Sequence, residues 1–90
     1  VRIDDLQWDE KNAEHIARHG VSPEEVEDVC YGFHVSQKEK RNRYVLGGKT
    51  INGKYLDVII EKISEYTFRP ITAFEMSENY KSRFKRRLGK

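Results

Sequence analysis

Apolar positions follow two rhythms along this chain. Ala13, Ile16 and Ala17 recur at helical spacing between charged residues, and Val26, Val29 and Cys30 do so again. Asp9 stands where a helix N-cap belongs, ahead of the first of these stripes, and His19-Gly20 ends it with a glycine suited to a left-handed C-terminal residue. Ser22-Pro23 restarts a helix, with Ser22 as N-cap and Pro23 at the first helical position. Glu25 sits three residues after Ser22, as a capping box requires, and Gly32 closes the helix.

The period then shortens. His34 to Gln37 reads as a short strand, Lys38 to Asn42 as a charged loop, and Tyr44-Val45-Leu46 as a strand running into the pair Gly47-Gly48. Asn52-Gly53 is the strongest hairpin signal, so Arg43 to Ile51 and Lys54 to Ile63 are expected as antiparallel neighbours. The nearly continuous run Leu56, Val58, Ile59, Ile60 suits a central strand covered on both faces. Thr67 to Phe74 is a further strand, in which Pro70 calls for an edge or a bulge. Ser77 caps a last helix whose stripe is Tyr80, Phe84 and Leu88, facing the sheet. The expected fold is a single α+β domain over residues 1–90: two N-terminal helices, a three- or four-stranded antiparallel meander and a C-terminal helix.

Charge adds an asymmetry that the net value of +2 conceals. Residues 1–30 carry nine acids against three bases (−6), while residues 31–90 carry fourteen bases against six acids (+8). Such a division suits either one face for an anionic ligand or two solvated faces of opposite sign. No apolar run approaches the roughly 18–20 residues of a membrane span, and the start shows no signal-peptide pattern, so a cytoplasmic place is expected with no membrane partner. The lone Cys30 lies in a helix's apolar phase and reads as a buried hydrophobe rather than a reactive thiol. His15 and His19 share a helix face, but no glutamate follows His15 as a zinc-protease motif needs, so neither a metal nor another cofactor is expected.

Leu6-Gln7-Trp8-Asp9-Glu10-Lys11-Asn12, then Arg18-His19-Gly20-Val21-Ser22 and Glu24-Glu25-Val26, resembles the opening of the BrnT family of bacterial toxins. Arg43-Tyr44 ahead of Gly47, the strand Phe68-Arg69-Pro70-Ile71-Thr72-Ala73 and a charged helix with Tyr80 and Arg83 are similar to later parts of that family. Phe74 follows Ala73 where the family usually has arginine, and residues 33–42 lack its acidic loop, which marks a divergent branch. The resemblance implies a RelE-like fold and a toxin of a toxin–antitoxin pair. It implies a metal-independent endoribonuclease that inhibits translation, silenced by a small BrnA-like antitoxin with a ribbon-helix-helix domain.

Cleaving RNA without a metal requires a group for the 2′-hydroxyl proton, a proton for the leaving oxygen, and cations for the phosphoryl charge. Arg43 and Arg69 on strands and Arg83 on the last helix are the candidate phosphate ligands, since a guanidinium binds phosphate bidentately and keeps its charge. The same residues also serve as ordinary solvated positions. His19 is the candidate for proton transfer, although a histidine at a helix C-terminus also caps carbonyls. Tyr80 can donate a phenolic proton or pack. Trp8 can stack on bases but is better explained as packing. The alternative function is a non-catalytic module of the same fold that binds nucleic acid or an antitoxin.

Overall fold

The computed structural model describes residues 1–89, and the side chains of residues 1–87. The elements run β1 (Asp5–Leu6), α1 (Glu10–Arg18), α2 (Pro23–Tyr31), β2 (His34–Lys40), β3 (Arg43–Lys49), β4 (Tyr55–Ser64), β5 (Thr67–Glu75) and α3 (Glu78–Gly89). The caps expected from the sequence are in place. The Asp9 carboxylate accepts from the amides of Lys11 (2.8 Å) and Asn12 (3.4 Å). Ser22 and Glu25 complete a reciprocal capping box with Pro23 at the head of α2. Gly20 takes a φ of +78°, which ends α1 without a steric penalty.

The sheet is a meander with one addition, in the order β1-β5-β4-β3-β2. The addition is β1, which pairs parallel with β5 through Asp5 opposite Thr67 and Leu6 opposite Phe68. Two residues carry no periodicity, so the sequence pattern could not announce this strand. Two further expectations change. β2 does not stop at Gln37: Lys38 pairs with Tyr44 and Lys40 with Arg43, around a bulge, so the charged stretch is a strand. A charged, bulged edge of this kind discourages pairing with another chain. β3 runs through Gly47 and Gly48 to Lys49, within the Arg43 to Ile51 span that the hairpin signal called for. The hairpin between β3 and β4 is also wider than a two-residue turn. Only Gly53 has positive φ (+96°), the Gly53 amide donates to the Thr50 carbonyl (3.0 Å), and Thr50 and Lys54 face each other across a three-residue loop.

The two glycines explain why the strand passes through them. A Cβ on Gly48 would meet Val29 of α2 at 3.0 Å, and one on Gly47 would meet Phe84 of α3 at 3.0 Å and Met76 at 3.2 Å. Neighbouring strand residues point to opposite faces, so α2 and α3 press on opposite sides of the sheet at this point. On the α2 side the core is continuous: Ile16, Val21, Val26, Val29 and Cys30 from the helices close on Leu46, Leu56, Val58, Ile60, Phe68 and Ala73 from the strands. Cys30 is buried there, and burial pushes its thiol up to about 12, so it packs as a hydrophobe. Trp8 packs half-buried against the same core. On the other side, Phe84 and Met76 are buried over the upper part of the sheet only. Leu88, expected in the same stripe, has its side chain outside the described residues. Among the described residues no helix is long and apolar enough to cross a membrane.

Candidate nucleic-acid interface

The lower half of the α3 side of the sheet is left without a covering helix, and here strand register assembles charge. Arg43 of β3 stands opposite Glu61 of β4, which stands opposite Arg69 of β5. Strands lie about 4.8 Å apart, so the three form one row across the sheet. The Arg69 guanidinium reaches the Glu61 carboxylate at 3.7 Å, and both side chains remain about one-third exposed. Lys40, Arg41 and Asn42 join Arg43 and Glu61 around a shallow concavity at the β2–β3 turn.

A bulge puts Arg69 in this row. Ile59 pairs with Thr72 and Ile60 with Pro70, so Ile71 is an extra residue on β5. By plain alternation Arg69 would share a face with buried Ala73, on the helix-covered side. One inserted residue reverses that phase and brings Arg69 beside Glu61. Pro70 donates no backbone hydrogen bond, so a break in regular pairing next to it costs little.

Further up the same face, α3 and the sheet enclose a groove of about 170 Å³, to which Val35 and Gln37 of β2, Val45 of β3, and Tyr80, Phe84 and Arg87 of α3 contribute. Phe84 seals its upper end by packing on Gly47 and edge-on to Tyr55, with ring centroids 6.1 Å apart. Beneath the helix lies Asp57, opposite Gly47 in register and only 6% exposed. Its Oδ1 is buried without a hydrogen-bond partner, and burial pushes its carboxyl up to about 6.

The residues singled out from the sequence divide among these places. Arg43 and Arg69 come together. Arg83 does not join them: it lies on the outer side of α3 with Asn79, Ser82 and Arg86, its guanidinium 6.0 Å from the Tyr80 ring. The helix residue turned to the groove is Arg87, four positions further on. His19 caps α1 beside the other end of β5, its ring edge-on to Phe74 at 6.3 Å and to His15 at 5.0 Å. Phe74 is about 16 Å along β5 from Arg69, at roughly 3.3 Å per residue, so His19 stands apart from the arginine row. Sequence reasoning missed Glu61, Gln37 and Arg87. The alternation of Arg43 and the β4 pattern contained the signal for Glu61, since an acid amid apolar strand residues on a sheet's open face faces its strand neighbours.

A larger concavity, about 720 Å³, lies elsewhere, between the C-terminal end of α2 and the β3–β4 turn. Glu27 and Asp28 on its rim make it a poor host for a polyanion.

No protein-family model and no curated protein sequence matches the chain. Among solved structures it is similar to the ribonuclease toxin BrnT of Brucella abortus, with a TM-score of 0.67 and 19% identity, over 82% of this chain and 97% of that one. The chain has a BrnT-like fold. At this identity the likeness carries architecture rather than individual residues: α+β, with three helices and a largely antiparallel sheet ending in a C-terminal helix, as in BrnT.

Proposed function

We propose that this chain is a ribonuclease toxin that holds single-stranded RNA on the open sheet face, with Arg43 and Arg69 on one scissile phosphate. The observation that carries the reading is the register row Arg43–Glu61–Arg69 on the uncovered face of a fold shared with a ribonuclease toxin. Two guanidiniums flanking one carboxylate bring together the two functions that metal-free cleavage needs most. The arginines neutralise the growing charge on the phosphoryl oxygens. Glu61 takes the proton from the 2′-hydroxyl as that oxygen attacks phosphorus and the bond to the 5′ oxygen breaks. The leaving oxygen takes a proton from solvent, and Glu61 returns its own to solvent. No step uses a metal. Arg87 on α3 extends the positive surface into the groove, and Arg83 and Arg86 add charge on the helix's outer side. His19, distant from the row, is assigned no step.

A toxin of this kind works in the cytoplasm beside a small antitoxin, here a BrnA-like protein with a ribbon-helix-helix domain. Acidic residues and an apolar helix face on that partner would complement the sheet face and α3. The decisive experiment incubates the purified chain with a defined single-stranded RNA in chelator, comparing wild type with Glu61→Gln and the double variant Arg43→Ala/Arg69→Ala. Cleavage by wild type, with binding but no cleavage by Glu61→Gln and loss of both in the double variant, is the expected pattern. Salt-dependent binding without cleavage by wild type would instead make the chain a binding module of the same fold.

A further inference from the structure

We infer that the groove between α3 and strands β2 and β3 is a nucleobase subsite, which holds one unstacked base of the RNA and reads its edge. The inference rests on the RNA reading above and adds to it a place where sequence is sensed. Three observations converge on it.

The first is size. At about 170 Å³ the groove is well below the roughly 300–1,000 Å³ of pockets that take drug-sized ligands. It has room for one flat ring system rather than a whole nucleotide. The second is the chemistry of the walls. Val35 and Val45 form an apolar floor, and Tyr80, 36% exposed, presents an aromatic ring at the mouth while Phe84 closes the far end. Flat apolar and aromatic walls suit the face of a base, which stacks whatever its identity. Gln37 stands on the exposed edge strand in the row of Val45 and Ile59, and its amide offers one donor group and one acceptor. That pair matches the mixed donor and acceptor edge of a base.

The third is position. Val45 is two residues from Arg43 on the same face of β3, about 7 Å at the usual strand rise. Arg87 closes the opposite wall with a second cation. A base in the groove therefore leaves its own backbone between Arg87 and the arginine row, where the phosphates have partners. Phosphate contacts fix a strand without reading it, whereas base contacts read it. The open face supplies the first kind and the groove the second.

The test uses one short RNA that wild type binds, together with a series in which each position in turn carries an abasic ribose. Affinity is read by fluorescence anisotropy in chelator. One abasic position is expected to weaken wild-type binding far more than the others. Tyr80→Ala is expected to weaken binding of the intact RNA roughly 5- to 150-fold, the equivalent of about 1–3 kcal/mol of base stacking. The same variant should lose nothing further on the RNA that already lacks the critical base. Gln37→Ala should flatten the wild-type preference among the four bases at that position. Both side chains are exposed, so neither change should unfold the protein. If every abasic position costs the same, or Tyr80→Ala costs as much on abasic as on intact RNA, the groove holds no base, while salt-dependent binding would leave the phosphate row standing. An absence of any RNA binding by wild type would remove both readings.

Discussion

The two sides of the sheet share the same strands, yet each deals with a buried acid in its own way. Near the α2 side, Glu25 is 9% exposed and fully engaged. It accepts from the Ser22 amide at 3.0 Å, from the Asn52 amide group at 3.0 Å and from the Lys54 ammonium at 3.1 Å. The Ser22 and Asn52 hydrogen bonds, helped by Lys54, hold its carboxyl below the ordinary range. Under α3, Asp57 is as deeply buried, has a bare Oδ1, and is pushed up to about 6. One acid fastens the β3–β4 turn to the start of α2. The other leaves an oxygen unpaired beneath α3. The difference teaches where charge is matched: the acid on the two-helix side is fully paired, and the one under α3 keeps a bare oxygen beside the surface proposed to hold RNA.

The contrast breaks most visibly in the core. Leu46→Ala, on the two-helix side, should cost about 2–5 kcal/mol, read as a large drop in the denaturant midpoint at unchanged slope. Asp57→Asn should work in the opposite direction. The folded carboxyl titrates near 6 against 3.8 in the open chain. Below pH 3.8 it is protonated in both states and costs nothing; above about 6 its ionised form bears the full penalty. The variant should therefore gain about 2–3 kcal/mol over wild type at pH 7, with the gap closing as pH falls from about 6 to about 4. Thermal melts of the two proteins across that range check it, and a gap that does not change with pH would end the account.

Glu25→Gln sharpens the comparison with the opposite slope. Because the folded carboxyl is depressed below 4.5, its contribution is complete above that value and disappears as pH falls through the folded one. Glutamine keeps the capping geometry but loses the charge facing Lys54, so a loss of about 1 kcal/mol at neutral pH is expected, vanishing in acid. The smallest change in stability belongs to Arg69→Ala. Its ion pair with Glu61 is long and exposed, and removing it should alter stability by no more than about 0.5 kcal/mol. Filter binding should nonetheless show weaker RNA affinity and a salt slope reduced by about 0.7.

How much of this was legible beforehand follows from which residues carry local signals. Asp9, Ser22, Pro23 and Glu25 act within three residues of themselves, so both N-terminal helices could be read directly. Leu56 to Ile60 declared a central strand by its apolar density, and β4 is the middle strand of the sheet. What escaped depends on partners far along the chain. β1 exists only because β5 lies beside it. The reason for glycine at 47 and 48 escaped too, because the helices that require it lie elsewhere in sequence. In the candidate site, Pro70 pointed to a bulge, but only the register of β4 against β5 shows that the bulge turns Arg69 toward Glu61. Arg83 and Arg87 are equally basic in sequence. Helix phase relative to the sheet, set by Phe84 on Gly47, decides which one enters the groove.

The parallel pairing of Asp5 with Thr67 also bears on how the chain is made. A ribosome delivers β1, α1 and α2 first, but the surface that α1 covers belongs to β5, among the last strands to emerge. Contacts this distant in sequence form slowly, since a long loop must close before they stabilise anything. α1 must therefore wait, partly solvated, until β5 has emerged, whereas α2 has its partners β3 and β4 earlier. Arg69 arrives with that same late strand. The nascent chain thus lacks its full charged row until β5 has joined β3 and β4.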